Sequence, residues 1–274
     1  MNNVFDINRF GKFVLYELKR AYSNSALSAL ICAGMPAIMF VFAQLFSLIF
    51  SGEMSVQTGQ LYGLIAGTAS LVAVVVAMPA KLFGQITDKR FGSDWLMVPA
   101  STLEKSLGII LVSAVIFPLV VCALFLGIDC SMSLIFGKYY GANLLDSMGV
   151  ISNMISESTK GGLEINIGGM SILELSEYML IFTLGALCFK TNKPAKTILT
   201  LIIIGTVFGL IVSTCAVWFG DGIQEFFKNF FDRDPEYIIK HGTFYFNLVM
   251  NLWYFIVLGG LGAAIYYRIK TLKH

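Results

Sequence analysis

Residues 85–105 read QITDKRFGSDWLMVPASTLEK and form the longest charged passage between two strongly apolar segments of the chain. The charged run DKR is followed by a Gly-Ser pair, where a helix can end and another can begin. Ser101 and Glu104 have the S-x-x-E spacing of a capping box, in which each side chain satisfies a backbone N–H at a helix start. The pattern predicts a structured turn and then a helix that begins at Thr102 and continues into an apolar segment.

The composition indicates an integral membrane protein. Apolar residues make up 57% of the 274 residues and charged residues only 13%, whereas soluble domains contain roughly 25% charged residues. Five scattered cysteines and two histidines predict neither a disulfide framework nor a metal site. Because G-x-x-x-x-G-K-[ST], H-E-x-x-H and G-x-S-x-G are all missing, we predict no catalytic residue, no cofactor and no ATPase activity in this chain.

Six apolar segments predict transmembrane helices, and each reaches the ~17–25 residues that cross a bilayer core. They are residues 26–50, 60–80, 106–128, 172–189, 198–219 and 244–267. Five of them contain no Asp, Glu, Lys or Arg, whereas the fourth contains Glu174 and Glu177 and is the weakest. The expected fold class is therefore an all-α integral membrane protein with a six-span domain over residues 25–274.

Residues 1–24 predict an amphipathic elbow helix before the first span. One face of the helical wheel is apolar, and the opposite face is basic. The apolar face holds Ile7, Phe10, Val14 and Leu18. This pattern is typical of a helix that lies in the membrane surface, and the alternative is a soluble helix packed on another domain.

The Lys and Arg residues predict the orientation. If the amino terminus is cytoplasmic, 14 of the 19 Lys and Arg residues lie in inner segments and 5 in outer segments. The positive-inside rule therefore places both termini and residues 85–105 in the cytoplasm. We expect membrane lipid, and no nucleic acid, around the chain.

An acidic-basic run, a Gly-Ser pair, a short apolar turn, Pro-x-Ser and a Lys follow one another in residues 85–105. The positions are Asp88, Lys89, Arg90, Gly92, Ser93, Leu96, Pro99, Ser101 and Lys105. In this order they resemble the cytoplasmic loop after the second membrane helix of type-2 ABC exporter permeases. That family more often has Glu at the first position and an acidic residue in place of Trp95.

The resemblance implies a half-transporter of the bacterial inner membrane. Two permeases, identical or related, would join two ABC ATPase subunits and export a substrate that the sequence does not identify. The ATPase-coupling residues would be Asp88, Lys89, Arg90, Trp95 and Leu96. The resemblance also implies an elbow helix at the amino terminus and a re-entrant element between the last two spans.

Other interpretations of the same residues stay open. The segment 85–105 is also compatible with a charged turn that has a capped helix and no docked partner. The whole chain would then be a non-transporting membrane anchor or assembly factor. A third possibility is a lipid enzyme that acts through the outer loop 130–171, although that loop contains no recognisable nucleophile and base.

Polar residues inside the predicted spans are candidates for a transport path. Asn247 and Asn251 lie four residues apart on one face of the sixth span, and Gln44 lies in the first. The alternative, which the sequence favours, is that these amides bond neighbouring helices. No acid or base lies at a span centre, which argues against an ion-coupled carrier.

Two further patterns concern the outer side and the packing of the spans. Residues 220–242 predict an amphipathic helix, either re-entrant or resting on the membrane surface. Gly205 and Gly209 form a small-x-x-x-small face in the fifth span. We expect this face to pack within the bundle rather than in a dimer.

Overall fold

The computed structural model describes residues 5–54, 59–88, 92–141, 167–231 and 235–272. In these ranges the chain forms helices and no strand, which confirms the all-α class. The helices are α1 (Ile7–Ser51), α2 (Gly59–Phe83), α3 (Gly92–Met97), α4 (Thr102–Ile110), α5 (Phe117–Tyr140), α6 (Ile167–Cys188), α7 (Lys193–Phe231) and α8 (Pro235–Thr271). A 3₁₀ turn, Gly84–Thr87, follows α2, and a π-helical segment, Leu111–Ile116, joins α4 to α5.

Five helical stretches in the described ranges are long and apolar enough to cross a membrane. They are Ile7–Ser51, Ile65–Thr87, Thr102–Tyr140, Lys193–Cys215 and Asn247–Thr271. These five apolar helices suggest a protein that spans the membrane several times. The predicted fourth span, residues 172–189, is helical in α6 up to Cys188, but α6 is not one of the five.

Helix α1 joins the predicted elbow helix and the first predicted span in one element of 45 residues. The side chain of Asp6 caps its first turn by accepting hydrogen bonds from the backbone N–H groups of Asn8 and Arg9. Ile7, on the predicted apolar face, is 73% exposed, whereas Phe13 and Glu17 are buried. Phe13 and Glu17 form the face that packs on other parts of the chain, and placement of the Ile7 face in the membrane surface stays a prediction.

Two other helices extend beyond the predicted spans. Helix α5 continues to Tyr140, so the predicted outer loop 130–171 is wrong in its first part, and residues 142–166 lie outside the described residues. Helix α7 runs without a break through the start of the predicted outer helix 220–242. Up to Phe231, the predicted outer helix is therefore a continuation of α7 rather than a separate helix.

The core of the bundle lies where α1, α2, α4 and α6 meet, and α8 packs on α4 and α6. Helix α7 packs against α6 near its start, while most described side chains from Leu199 to Cys215 are exposed. A side chain added at Gly205 or Gly209 would meet nothing within 4 Å. The expectation that these glycines pack within the bundle is therefore wrong as far as the described ranges go, because no helix in them approaches either glycine.

Candidate functional site

Trp95 fixes the short helix α3 inside residues 85–105. Its side chain is 2% exposed, and its indole Nε1 donates a hydrogen bond of 2.6 Å to Oε1 of Glu17 on α1. The ring packs edge-on against Phe13, with 6.2 Å between the ring centroids. Trp95 was expected to contact a partner, but its burial removes it from the surface. The expectation is corrected: the indole attaches the segment to α1.

Lys105 binds the carboxyl-terminal end of α3. Its Nζ donates to the backbone carbonyls of Trp95 at 3.3 Å and Leu96 at 2.9 Å, and it lies 4.9 Å from the centroid of the Trp95 ring. These carbonyls belong to the end of α3, where a cation complements the helix dipole. Burial lowers the pKa of Lys105, and the nearby Glu17 carboxylate opposes that shift.

The carboxyl group of Glu17 is the buried centre of these contacts. The residue is 2% exposed. Besides the hydrogen bond from the indole, its Oε1 accepts one from Nη1 of Arg20 at 3.4 Å. Burial raises the pKa of Glu17, whereas the charge of Arg20 and the indole hydrogen bond lower it. A buried carboxyl group is costly unless it is hydrogen-bonded, so these donors determine whether α3 stays on α1.

The predicted capping box is present at the start of α4. The Ser101 hydroxyl accepts from the Glu104 N–H at 3.2 Å, and Oε2 of Glu104 accepts from the Ser101 N–H at 2.8 Å. The same carboxylate binds the Arg9 guanidinium, with Nη2 2.7 Å from Oε1, and accepts from the Asp6 N–H at 2.9 Å. These bonds, that from Arg9 first, lower the pKa of Glu104 to about 2.

The beginning of the segment is attached to α6 and α7. Thr87, in the 3₁₀ turn, donates to the Gly84 carbonyl at 3.0 Å and reaches the Ala186 carbonyl of α6 at 3.5 Å. Lys193, at the start of α7, donates to the Gly84 carbonyl and lies 3.4 Å from Oδ1 of Asp88. One short segment therefore contacts α1, α6 and α7 at the same end of the molecule.

A smaller part of the segment faces outward. The Asp88 side chain is 45% exposed despite its contact with Lys193, Asp94 is exposed, and Met97 is 77% exposed. Leu96 is half-buried against the core. Of the other predicted coupling residues, Lys89 and Arg90 lie outside the described residues.

The three amides proposed for a polar path lie in different environments. Gln44 is buried on α1, while Asn247 is half-buried and Asn251 is exposed on α8. A shared path stays a prediction. Sequence reasoning missed a buried acid: Asp129 lies one residue past the predicted third span, is buried, and accepts a hydrogen bond of 2.5 Å from Tyr140.

In the described ranges, no cluster of three His, Cys, Asp or Glu side chains could hold a metal ion. Among the described residues of 85–105, the exposed side chains include those of Asp94 and Met97, and Asp88 is partly exposed. No family model matches the chain, and the curated proteins and solved structures likewise gave no match.

Proposed function

We propose that this protein is the membrane-spanning permease subunit of an ATP-driven exporter and that residues 85–105 couple it to a separate ATPase subunit. One observation supports this proposal above the others. The segment is attached by buried side chains to α1, α6 and α7, yet Asp94 and Met97 are exposed on it. A coupling element needs both properties, because it must bind a partner and transmit the partner's movement to the spans.

The buried contacts define how that movement would be transmitted. Displacement of α3 pulls on Glu17 through the Trp95 indole and therefore on α1. Displacement of the 3₁₀ turn acts on the start of α7 through Lys193. Packed contacts of this kind move together, since a close-packed interior resists gradual deformation. Closure of the ATPase pair on ATP would thus tilt spans that lie far apart in sequence.

In this proposal six helices cross the bacterial inner membrane. They are the five long apolar helices and α6. Both termini and residues 85–105 face the cytoplasm, as the distribution of Lys and Arg predicts. The basic first turns of α1 serve as the elbow element, but as a continuation of the span rather than a separate helix. Lipids, drugs and apolar peptides all fit as substrates.

Helix α7 is our proposed contact with a second permease, identical or related. Most of its described side chains between residues 199 and 215 are apolar and exposed around the helix, a pattern that suits a span surrounded by lipid or by another helix. Gly205 and Gly209 leave open space beside it. Small residues at this spacing allow two helices to approach closely.

The test is recovery of an ATPase subunit with the detergent-solubilised protein. Met97→Glu introduces a charge at an exposed position of α3 and Asp94→Lys reverses one, so we expect both to reduce recovery. The matched control is Thr271→Glu, an exposed position on α8. Unchanged recovery in both surface variants would refute the docking role.

Identification of the co-purified proteins separates the proposal from the membrane-anchor alternative. A bound protein that hydrolyses ATP supports the permease. A bound protein without nucleotide-binding activity supports the anchor. Labelling of Met97→Cys, in a variant without the five native cysteines, gives the sidedness. Labelling only from the outer side would contradict the whole arrangement.

A further inference from the structure

Helices α1 and α4–α5 run side by side in the same direction and touch at two levels. At the first level Arg9 binds Glu104, and Phe13 lies so close to Gly108 that an added Cβ would be 2.6 Å from its ring. At the second level Phe40 packs against Tyr140, with 4.9 Å between ring centroids. The two helices are thus in direct contact at both levels.

Between these two levels the helices separate and leave an open groove of about 820 Å³. Ligand sites in proteins have volumes of roughly 300–1,000 Å³. One wall comes from α1 between Leu18 and Leu30, and the other from the π-helical segment and α5 between Val112 and Leu124. The groove is therefore large enough for an elongated ligand, and it opens to the side of the bundle.

The polarity of the walls changes along the groove. Tyr22 and Ser23 line it beside Leu18 and Ala21 near the end that carries residues 85–105, whereas Leu30, Val120 and Leu124 line the other end. The first end has hydroxyl groups, and the second is aliphatic. An amphiphile with a polar head and an apolar chain matches this gradient.

A basic residue of α1 lies close to this end, outside the side chains that line the groove. Lys19 is exposed and occurs one helical turn before Ser23, on the face that also contains Leu30. Tyr22 is 77% exposed beside it, and tyrosines are enriched at the level of lipid headgroups. The charge and the hydroxyl groups at this end favour an anionic headgroup.

The wall opposite α1 is irregular at this depth. Val112 and Ile116 line the groove, and both belong to the π-helical segment Leu111–Ile116. Single π turns occur frequently at functional sites because they change the direction of the side chains. Here the π turn forms part of the groove wall that faces α1.

We propose that the groove binds one anionic phospholipid, with an acyl chain between α1 and α5 and the phosphate beside Lys19 and Tyr22. This inference depends on the membrane location of the helices and not on coupling to an ATPase. Native mass spectrometry of the purified full-length protein tests it, with phosphatidylglycerol and phosphatidylcholine of identical acyl chains as the two probes. We expect one phosphatidylglycerol per chain and weaker retention of phosphatidylcholine.

Two variants separate the chain site from the headgroup site. Ala26→Trp fills the groove and should lower lipid retention about tenfold or more, because several buried CH₂ groups lose their place. Lys19→Glu should lower the preference for phosphatidylglycerol about fivefold or more and leave retention of phosphatidylcholine unchanged. The controls are Ala263→Trp and Lys196→Glu, which are exposed positions on α8 and α7.

Three results would overturn the proposal. The first is equal retention of both lipids by the native protein. The second is unchanged retention in Ala26→Trp, provided that its helical circular dichroism matches the native spectrum. If Ala26→Trp does not fold, the exposed Lys19→Glu decides. The third is efficient dimer formation through Ala26→Cys in a background without other cysteines, which would show that a second chain covers the groove.

Discussion

The contact between Trp95 and Glu17 makes a quantitative prediction about the stability of the inner end of the bundle. In Trp95→Phe, the apolar packing against Phe13 is largely kept, but the Nε1–H donor is lost. Glu17 is 2% exposed. Of the two hydrogen-bond donors described above for its carboxyl group, the variant keeps only Arg20, at 3.4 Å. Because hydrogen bonds to charged groups contribute ~1.5–3 kcal/mol, we expect Trp95→Phe to lower the free energy of unfolding by about that amount.

A double-mutant cycle with Glu17→Gln isolates the contact from changes in packing. The amide oxygen of glutamine still accepts from the indole, but without charge, so this hydrogen bond is worth only ~0.5–1.5 kcal/mol. Trp95→Phe should therefore cost about 1 kcal/mol less in the Glu17→Gln background. This difference reports the coupling between the two side chains.

The assay is unfolding of the purified protein in mixed detergent and SDS, followed by helical circular dichroism. Phe117→Leu, another aromatic change in the buried core, serves as a control because it should show no coupling with Glu17→Gln. A Trp95→Phe protein within ~0.5 kcal/mol of the native stability would refute the reasoning. An equal cost of Trp95→Phe in both backgrounds would also refute it.

Three further predictions concern other contacts. The pKa of Glu104 is lowered to about 2, so its ionised form stabilises the fold above the ordinary Glu pKa, and this stability is lost as pH falls towards 2. In an acid titration of the free energy of unfolding, Glu104→Gln should therefore show a smaller loss of stability over that range than the native protein. Gly185→Ala should lower the melting temperature by several degrees because its Cβ would overlap Thr197, whereas Gly262→Ala, with its nearest atom at 3.5 Å, should not. Gly205→Leu should weaken chain–chain cross-linking in the membrane if α7 is the dimer contact, while Gly259→Leu, which is equally open, should leave it unchanged.

The capping box of Ser101 and Glu104 could be predicted because both partners lie within one helical turn. The other bonds of Glu104 could not be predicted, since Arg9 lies 95 residues away and only the packing of α1 on α4 brings them together. Trp95 was expected at the surface because the resemblance to the exporter loop placed it among the ATPase-coupling residues. Its acceptor, Glu17, is 78 residues distant, and Glu17 itself occurs in a helix whose sequence pattern favours a membrane surface.

The span predictions show a similar division. Charge-free apolar segments predict helices well because an ionised side chain at a helix centre costs ~2.5–3.5 kcal/mol. The ends of those helices were harder to predict, since α5 and α7 continue beyond the apolar segments. Asp129 shows why. Its carboxyl group accepts a hydrogen bond from Tyr140 inside the protein, so the burial cost from which sequence reasoning would place the end of the span at Asp129 is reduced.

The length of α1 has a mechanical consequence. At 1.5 Å per residue its 45 residues extend roughly 68 Å, more than twice the ~30 Å of hydrocarbon. Under the proposed coupling, a small rotation imposed near Glu17 would be transmitted along this helix as far as the point where it bends most easily. Pro36 lies inside the helix and lacks the N–H that would stiffen it. We therefore expect a hinge near Pro36, where bending costs least.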